Sequence, residues 1–515
     1  MLQSGGVDDH GTNMTLQRAT ARTATRAKRI LSVAIIAALG TTVPVHAIAA
    51  AQRSGAVALR DQLRTLMPAA PKGPSSPAAT LVVSSCADDG APGTLRSVVA
   101  ASGEDDTVDL AALQCGTITL SQGAIPVLLN SLAIAGPGAA ALSIDGAGAD
   151  RVFIHPGGGT LALGGVTVRN GAARVAGSNI TGGGCIASAG YVLLDHSVVS
   201  DCYSSGEGVY GGAVFAYGLT MVSSTLTRNV GFAALPDTGT ATFGGGAYVG
   251  TVNLVDSTVS ANRAAHDLAQ GGYVTGGGLF TNTGGTITAS TIEGNDSDGI
   301  GGGVSVFGGS LSVVNSTISG NVAQTRGGGG IDARATYAVS IANSTIADNR
   351  ATAGGGVYLR AAAPTLDVRS SLLAGNTAAT GADIGSINPV TVGGANDLIV
   401  SAGPGVTLPP GTLHADPRLQ ALADNGGPTR TRALSSGSPA LDAGNNLSAL
   451  ATDQRGPGFP RVIGAAPDIG AFEGTAARPR AATAVPALSS PGLVLSGLLL
   501  ALLGLAVLRR RRGVS

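Results

Sequence analysis

Few residues of this sequence could carry out chemistry, and the densest group of them is an acidic turn. Glu293, Asp296 and Asp298 lie close together in the chain. Such carboxylates could bind calcium, or could act as acid and base in a cleft. A complete calcium loop needs more ligands than these three, and no other repeat carries the cluster, so we interpret it as a solvated turn. Calcium remains the alternative, and no other cofactor is expected.

Other polar residues give weaker signals. Asp332 and Arg334 follow a glycine run and could line a groove, although a surface salt bridge is the simpler interpretation. The six histidines show no metal-ligand spacing, and the glycine runs lack the Lys and Ser/Thr of a phosphate-binding loop. With eight Tyr, eight Phe and no Trp, the chain has few aromatic platforms for sugars. We therefore predict no catalytic, cofactor-binding or metal-binding residue.

The four cysteines have spacings that do not fit zinc. An even number of cysteines in an exported chain could form disulfides, and the pairs nearest in sequence are Cys86–Cys115 and Cys185–Cys202. The alternative is four buried thiols, because Cys202 stands where the later repeats have Asn.

The elements that would position these residues are repeats. In seven segments, a Ser is followed two residues later by an aliphatic residue and five residues later by Asn or, once, Cys. Successive repeats are 26 to 33 residues apart. A repeat this short cannot bury its own apolar face, so the repeats must stack as coils of a solenoid. The seven triplets are Ser197, Val199 and Cys202; Ser224, Leu226 and Asn229; Ser257, Val259 and Asn262; Ser290, Ile292 and Asn295; Ser316, Ile318 and Asn321; Ser344, Ile346 and Asn349; and Ser371, Leu373 and Asn376.

The spacing within each repeat predicts the local structure. Ser and the aliphatic residue share a strand parity, so we expect both to point inward, with the small Ser in a narrow part of the coil. The Asn should occupy a turn in a left-handed conformation and could form a ladder along the axis. Glycine clusters upstream of each Ser should form sharp corners, and length variation should fall in loops such as 231–243 and 264–275. At about 4.8 Å per coil, about nine coils over 160–400 would make a rod of roughly 43 Å.

This pattern of a glycine cluster, Ser-Thr-Ile and Asn resembles the right-handed parallel β-helix repeats of bacterial surface proteins. The Gly-Gly-aliphatic pieces also resemble chlamydial polymorphic outer-membrane proteins. The resemblance implies an all-β fold over 161–400, namely a single-stranded right-handed parallel β-helix of the pectin-lyase-like kind. Residues 81–160 resemble the capping first coils of such proteins. In that fold the acidic turn could supply the carboxylates of a pectin-lyase-type cleft.

Residues 401–474 carry a different pattern. The four blocks LADNGGPT, SPALDAG, TDQRG and DIGAFE follow one another between 422 and 473. They closely resemble the choice-of-anchor Q domain, which precedes varied anchoring signals in bacterial surface proteins. We expect this module to cap the open end of the solenoid.

The amino-terminal end predicts export. Basic residues over 18–29 precede an apolar run at 30–40, and small residues follow at Ala47 and Ala49. This is the plan of a signal peptide over 1–49, with cleavage after Ala47 or Ala49. A retained membrane anchor is the alternative. We expect 50–80 to be a linker.

The carboxyl-terminal end predicts membrane sorting. A linker at 475–484 leads to Val485, Pro486, Ala487 and Leu488, then to an apolar run at 493–508 and to the four arginines Arg509, Arg510, Arg511 and Arg512. A helix over 493–508 would span roughly 24 Å, with the arginines on the cytoplasmic side. Residues 485–512 resemble the IPTL-CTERM class of sorting signal, but lack its usual acidic-aromatic pair. The resemblance implies an exosortase-type processing protease in a Gram-negative bacterium.

Together these patterns favour an exported protein at the cell surface or outside the cell, transiently anchored in the inner membrane. Residues 48–508 have a net charge of −7, which argues against nucleic acid as a partner. The expected partners are the export machinery, the processing protease and an extracellular glycan or a host or neighbouring surface. We favour a non-catalytic adhesin-like or structural role. A polysaccharide lyase or glycoside hydrolase is the alternative, because one fold can support many activities.

Overall fold

The computed structural model describes residues 45–66, 78–174, 180–233, 241–267 and 273–474. Residues 1–44, the sorting motif Val485 to Leu488, the segment 493–508 and Arg509 to Arg512 lie outside the described residues. In the described ranges, no helix has the length and hydrophobicity needed to cross a bilayer.

Most of the described chain forms short strands, with two helices near the amino-terminal end, α1 (Val45–Arg64) and α2 (Leu95–Ala101). The strands of the first coils are β1 (Thr80–Val82), β2 (Thr107–Asp109), β3 (Thr117–Thr119), β4 (Ile125–Pro126), β5 (Leu132–Ala135), β6 (Ser143–Asp145), β7 (Phe153–His155), β8 (Thr160–Gly164), β9 (Thr167–Arg169), β10 (Ala172–Arg174), β11 (Ile180–Gly182), β12 (Ile186–Ser188), β13 (Tyr191–Asp195) and β14 (Val198–Ser200). Those of the middle coils are β15 (Tyr203–Gly206), β16 (Gly208–Tyr210), β17 (Val214–Val222), β18 (Thr225–Thr227), β19 (Val230–Ala233), β20 (Ala241–Phe243), β21 (Ala247–Val255), β22 (Thr258–Ser260), β23 (Arg263–His266), β24 (Tyr273–Thr275), β25 (Leu279–Thr281), β26 (Gly284–Thr288), β27 (Thr291–Glu293), β28 (Asp296–Ser297), β29 (Val304–Val314) and β30 (Thr317–Ser319). The remaining strands are β31 (Val322–Ala323), β32 (Ile331–Ala342), β33 (Thr345–Ala347), β34 (Val357–Leu359), β35 (Leu366–Arg369), β36 (Leu372–Ala374), β37 (Ile384–Ser386), β38 (Val390–Thr391), β39 (Gly393–Ala395), β40 (Leu398–Ile399), β41 (Val406–Thr407), β42 (Leu419–Ala423) and β43 (Thr431–Leu434).

Successive coils stack in parallel, which confirms the predicted parallel β-helix. Sheet I has 18 described strands and includes β13, β17, β21, β26, β29 and β32. Sheet II has 11 described strands and contains the Ser-Thr-Ile segments, from β3 through β27, β30 and β33 to β40. The middle coils contribute strands to two further sheets, sheet III (β10, β15, β19, β23, β28, β31) and sheet IV (β11, β16, β20, β24). Within the described strands, only β42 and β43 pair antiparallel.

The core contains the predicted aliphatic column, because Val199, Leu226 and their counterparts are fully buried. The serines are buried too, but they lie in the corner before each strand and not within it. The backbone N–H of Ser224, for example, donates to Ser257 Oγ at 3.1 Å, and the Ser224 hydroxyl donates to Val222 O at 2.7 Å. The serines therefore form a hydrogen-bonded ladder along the axis, which satisfies backbone groups that the corner leaves without strand partners.

The asparagines form the second ladder, as predicted. Asn262 Nδ2 donates to Asn295 Oδ1 at 2.9 Å, and the backbone N–H of Asn262 donates to the same oxygen at 3.0 Å. The expected left-handed conformation belongs to the preceding residue, such as Arg228 (φ 55°) or Asp348 (φ 57°). The Asn side chain therefore points inward, where its amide forms the ladder, and the residue before it adopts the left-handed conformation of the turn.

Both ladders end on buried carboxylates in the last coils. Asp397 takes the place of the next Ser and accepts the backbone N–H of Ser371 at 3.1 Å. Asp383 takes the place of the next Asn and accepts Asn376 Nδ2 at 2.7 Å. Burial raises the pKa of Asp397 to about 8 and that of Asp383 to about 6.

The amino-terminal end of the solenoid is closed by α2. Thr94 caps this helix by accepting the N–H of Ser97, and Leu95, Val98 and Val99 are buried in the core. This arrangement agrees with capping coils in this part of the chain.

The segment expected to be a linker, 50–80, is instead helical up to Arg64 and begins strand β1 at Thr80. On α1, Ala56, Leu59 and Leu63 are buried in one cluster with aromatic residues that include Tyr210, Phe215 and Tyr248. Helix α1 spans Ala47 and Ala49, the expected cleavage positions.

The module at 401–474 does not sit where we expected. It runs back along the outer face of sheet II, so it covers the side of the solenoid. Gln454 Nε2 donates to Thr291 Oγ1 at 2.8 Å, and Thr317 Oγ1 donates to Gln454 Oε1 at 2.6 Å. The N–H of Ala471 donates to Thr345 Oγ1 at 3.0 Å. The blocks that resemble the choice-of-anchor Q domain therefore hold the module to three successive coils.

Candidate functional site

The acidic turn does not form a joint site, and it is not the solvated turn that we expected, because Asp298 is buried and all three acids pair with arginines. Glu293 pairs with Arg430 of the module at 2.9 Å, whereas Asp296 and Asp298 both pair with Arg263 on sheet III. In the described ranges, no group of three or more His, Cys, Asp or Glu residues could hold a metal ion. The calcium alternative therefore has no ligand set in this part of the chain.

Asp332 and Arg334 do not form a surface salt bridge, and this interpretation is corrected. Asp332 is fully buried and pairs with Arg360 at 2.6 Å. Arg334 is 5% exposed, and its guanidinium carbon lies 4.8 Å from the centre of the Tyr273 ring. Burial raises the pKa of the Tyr273 phenol and lowers that of Arg334. The cluster is thus a packed part of the wall between sheets I and IV.

The cysteines form two disulfides, Cys86–Cys115 and Cys185–Cys202, the pairs we expected from their order in the sequence. Cys202 stands at the first position of the Asn ladder, and its backbone N–H donates to Asn229 Oδ1 at 3.0 Å. The first bridge ties the capping coils together, and the second ties the first repeat to its glycine corner. Their role in the described fold is structural.

A serine–histidine pair was missed by the sequence reasoning. His155 Nδ1 lies 2.7 Å from Ser188 Oγ, and Nε2 lies 2.9 Å from the backbone carbonyl oxygen of Asn130, which can only accept a hydrogen bond. Nε2 therefore carries the hydrogen and Nδ1 accepts from Ser188. Burial lowers the pKa of His155, and both side chains are fully buried. The pair resembles a base and nucleophile, but no substrate can reach it.

The accessible feature is a groove of about 420 Å³ on the outer face of sheet I. Its nine lining residues are uncharged, and six carry hydroxyl groups. They are Thr251, Thr283, Gly285, Thr286, Ser310, Leu311, Ser312, Ala338 and Ser340.

Register aligns three of these hydroxyls, on Thr286, Ser312 and Ser340, along the solenoid. Thr220 pairs with Asn253, then Thr286, Ser312 and Ser340 follow on successive strands β26, β29 and β32. Each of these residues stands nine positions before the Asn of its repeat. The sequence therefore held a signal for this row, which our attention to charged residues missed.

Gly285 is the glycine among the lining residues, and Gly284 precedes it on β26. A Cβ on Gly285 would lie 1.8 Å from Val252 O, and one on Gly284 would lie 1.9 Å from Ser310 O. A register shift in the pairing of β29 with β32 follows at Gly309 and Ser310. Bulges of this kind commonly turn side chains at functional sites. A side chain at Gly284 or Gly285 would clash with the backbone of a neighbouring coil.

Two exposed tyrosines stand at one end of this groove. Tyr191 and Tyr217 are 43% and 46% exposed, and their ring centres are 5.3 Å apart in an edge-to-face arrangement. The Tyr191 ring lies over Gly218, next to Thr251, because a Cβ on Gly218 would be 2.6 Å from Tyr191 Cδ1 and 3.3 Å from Thr251 Cγ2. The Arg60 guanidinium of α1 lies 4.8 Å from the Tyr217 ring centre. Helix α1 thus supports the tyrosine end of the groove.

Comparison with known proteins adds little to this geometry. No protein-family model matches the sequence, and no curated protein matches it. A solved structure, the crystal structure of pectate lyase Pel9A, is similar with a TM-score of 0.41 and 15% sequence identity, over 78% of this chain and 97% of that chain. A likeness this weak transfers nothing from that enzyme, so the strand pairing itself carries the fold.

Proposed function

We propose that this chain is an exported, surface-associated β-helix protein that binds an extracellular partner without cleaving it. One observation carries the proposal: the accessible groove on sheet I is lined by nine uncharged residues. Acid–base catalysis needs a titratable group within hydrogen-bond reach of the substrate. A groove of hydroxyls can bind but has no group suited to that task.

The pairing of the other acidic candidates supports the same view. Glu293 pairs with Arg430, Asp296 and Asp298 share Arg263, and Asp332 is held by Arg360. Two disulfides suit an oxidising compartment outside the cytoplasm. The proposal includes sorting through 485–512 by an exosortase-type protease, transient anchoring through 493–508 and display at the surface of a Gram-negative bacterium.

A polysaccharide lyase or glycoside hydrolase is the second candidate. In its favour, β32 carries Asp332 and Arg334 as well as Ser340 of the groove.

Turnover assays separate the two candidates. The full chain is incubated with neutral and uronic-acid polysaccharides, with and without calcium, and new reducing ends and unsaturated products are measured. We expect no product. Turnover that disappears in Asp332→Asn or Asp296→Ala, with folding intact, would establish the enzyme instead.

Localisation needs its own test. Cells are fractionated, and the mass of the carboxyl terminus of the surface-released protein is determined. We expect a terminus upstream of the arginine cluster. A released chain that still contains Arg509 would contradict processing, and a cytoplasmic protein would contradict export.

A further inference from the structure

We infer that the groove on sheet I binds a neutral, extended polysaccharide, with one sugar stacked on Tyr191 and the polysaccharide running along the solenoid axis. This inference rests on the proposed binding function and names its ligand class.

The length and direction of the groove fit a linear polymer. From β13 with Tyr191 to β32 with Ser340, six neighbouring strands of sheet I contribute residues in order. At about 4.8 Å per strand, this surface is roughly 24 Å long. An extended chain of pyranose sugars advances by a comparable distance per sugar, so successive sugars would meet successive coils.

The hydroxyls along the groove differ in what they offer. Thr283 Oγ1 donates to Gly250 O at 2.8 Å, and Thr286 hydrogen-bonds to Asn253, so both have lone pairs left to accept. Ser310, Ser312 and Ser340 make no side-chain hydrogen bond within the described part of the chain. Their hydroxyls can therefore both donate and accept. Sugar hydroxyls also both donate and accept, so they can hydrogen-bond to the threonines as donors and to the serines as donors or acceptors.

The lack of charge selects among polymers. A polyanion such as nucleic acid requires cations along its binding surface, and the nine lining residues have none, while Arg60 at the tyrosine end lies against the Tyr217 ring. A protein partner generally needs a buried aromatic or arginine anchor, and none of the nine lining residues is aromatic or an arginine. A neutral glycan needs neither feature.

The tyrosines supply the apolar part of sugar recognition. The C–H face of a pyranose packs against an aromatic ring, and Tyr191 is open to solvent beside Gly218 and Thr251, at one end of the groove. Tyr217 meets it edge to face and is supported by Arg60. A ring held by its neighbours loses little conformational freedom when a ligand binds.

Calorimetric titration of the full exported chain tests the inference. The probes are hexasaccharides of β-1,4-linked glucose, β-1,4-linked mannose and α-1,4-linked glucose, with hexagalacturonate as the acidic counterpart. We expect binding of at least one neutral hexasaccharide and none of hexagalacturonate.

Three variants locate the binding. Ser312→Leu fills the groove and should abolish binding, while Tyr191→Ala should weaken it about tenfold through loss of stacking. Tyr203→Ala is the matched control, because Tyr203 lies on sheet III beside Arg174 and away from the groove. Thermal unfolding of each variant verifies that the fold is retained.

The outcomes are distinct. Binding of no neutral hexasaccharide, preference for hexagalacturonate, or equal loss in Tyr203→Ala would overturn the inference while leaving a surface-binding role intact. Product formation during the titration, or a cytoplasmic location, would overturn the proposed function itself.

Discussion

Two faces of this solenoid carry rows of hydroxyl side chains in register, but only one of them is covered. On sheet II, Thr291, Thr317 and Thr345 lie beneath the module and hydrogen-bond to Gln454 and Ala471. On sheet I, Ser312 and Ser340 form an equivalent row on the open face. The covered face teaches how such a row is used: its hydroxyls bind polar groups that approach along the axis. The open face offers the same chemistry to a ligand from outside.

The largest expected effect comes from loosening the module on the covered face. Arg461 and Glu473 form an almost fully buried ion pair at 2.8 Å. Glu473→Leu leaves the arginine unpaired, and breaking one partner of such a pair costs about 3–5 kcal/mol. Chemical denaturation should show this loss, together with faster amide hydrogen exchange in β27, β30 and β33. An unchanged exchange rate there would mean that the module is not held by this pair.

A smaller effect separates the two faces within one coil. Thr317 on the covered face donates to Gln454, whereas Ser312 on the open face has no such partner. Thr317→Val should lower the free energy of unfolding by about 1–3 kcal/mol, because it leaves a buried Gln454 oxygen unsatisfied.

Ser312→Val is the matched control and should change stability by less than about 0.5 kcal/mol, as most surface substitutions do. Equal costs for the two substitutions, measured by denaturant unfolding, would remove the distinction between the covered and the open face.

A pH-dependent effect tests the interior that both faces share. Because burial raises the pKa of Asp397 from 3.8 to about 8, the folded chain keeps a proton that the unfolded chain releases at neutral pH. The free energy of unfolding should therefore fall as the pH rises from about 4 to about 8. Asp397→Asn should remove this dependence, so the stability of the variant relative to the wild type should increase as the pH rises through this range.

Denaturation curves at pH 5 and pH 8 check that expectation. Asp383→Asn is the companion variant, and its effect should be complete at lower pH because the pKa of Asp383 is about 6. Parallel pH profiles for the wild type and Asp397→Asn would contradict the buried, protonated carboxyl.

Much of the fold could be predicted because each coil repeats one local pattern. The Ser, aliphatic and Asn spacing predicts the core column and the Asn ladder, and these depend only on neighbours one coil away. The position of the module could not be predicted in this way. Thr317 and Gln454 are 137 residues apart, and no periodicity links them.

The candidate site was missed for a different reason. Its row of Thr and Ser stands at a constant distance before each Asn, but neutral hydroxyls on a strand carry no signature of chemistry by themselves. The helical spacing of Ala56, Leu59 and Leu63 was likewise present in the segment we took as a linker. In both cases the role of the residues depends on the surface that they face, and that surface is known only from the three-dimensional arrangement.

Amide hydrogen exchange with and without a saturating neutral hexasaccharide tests the central claim most directly. If the open face of sheet I is the binding surface, protection should increase in β26 and β29 and remain unchanged in β33 beneath the module. Protection confined to sheet III, or no change in β26 and β29 on binding, would contradict the account.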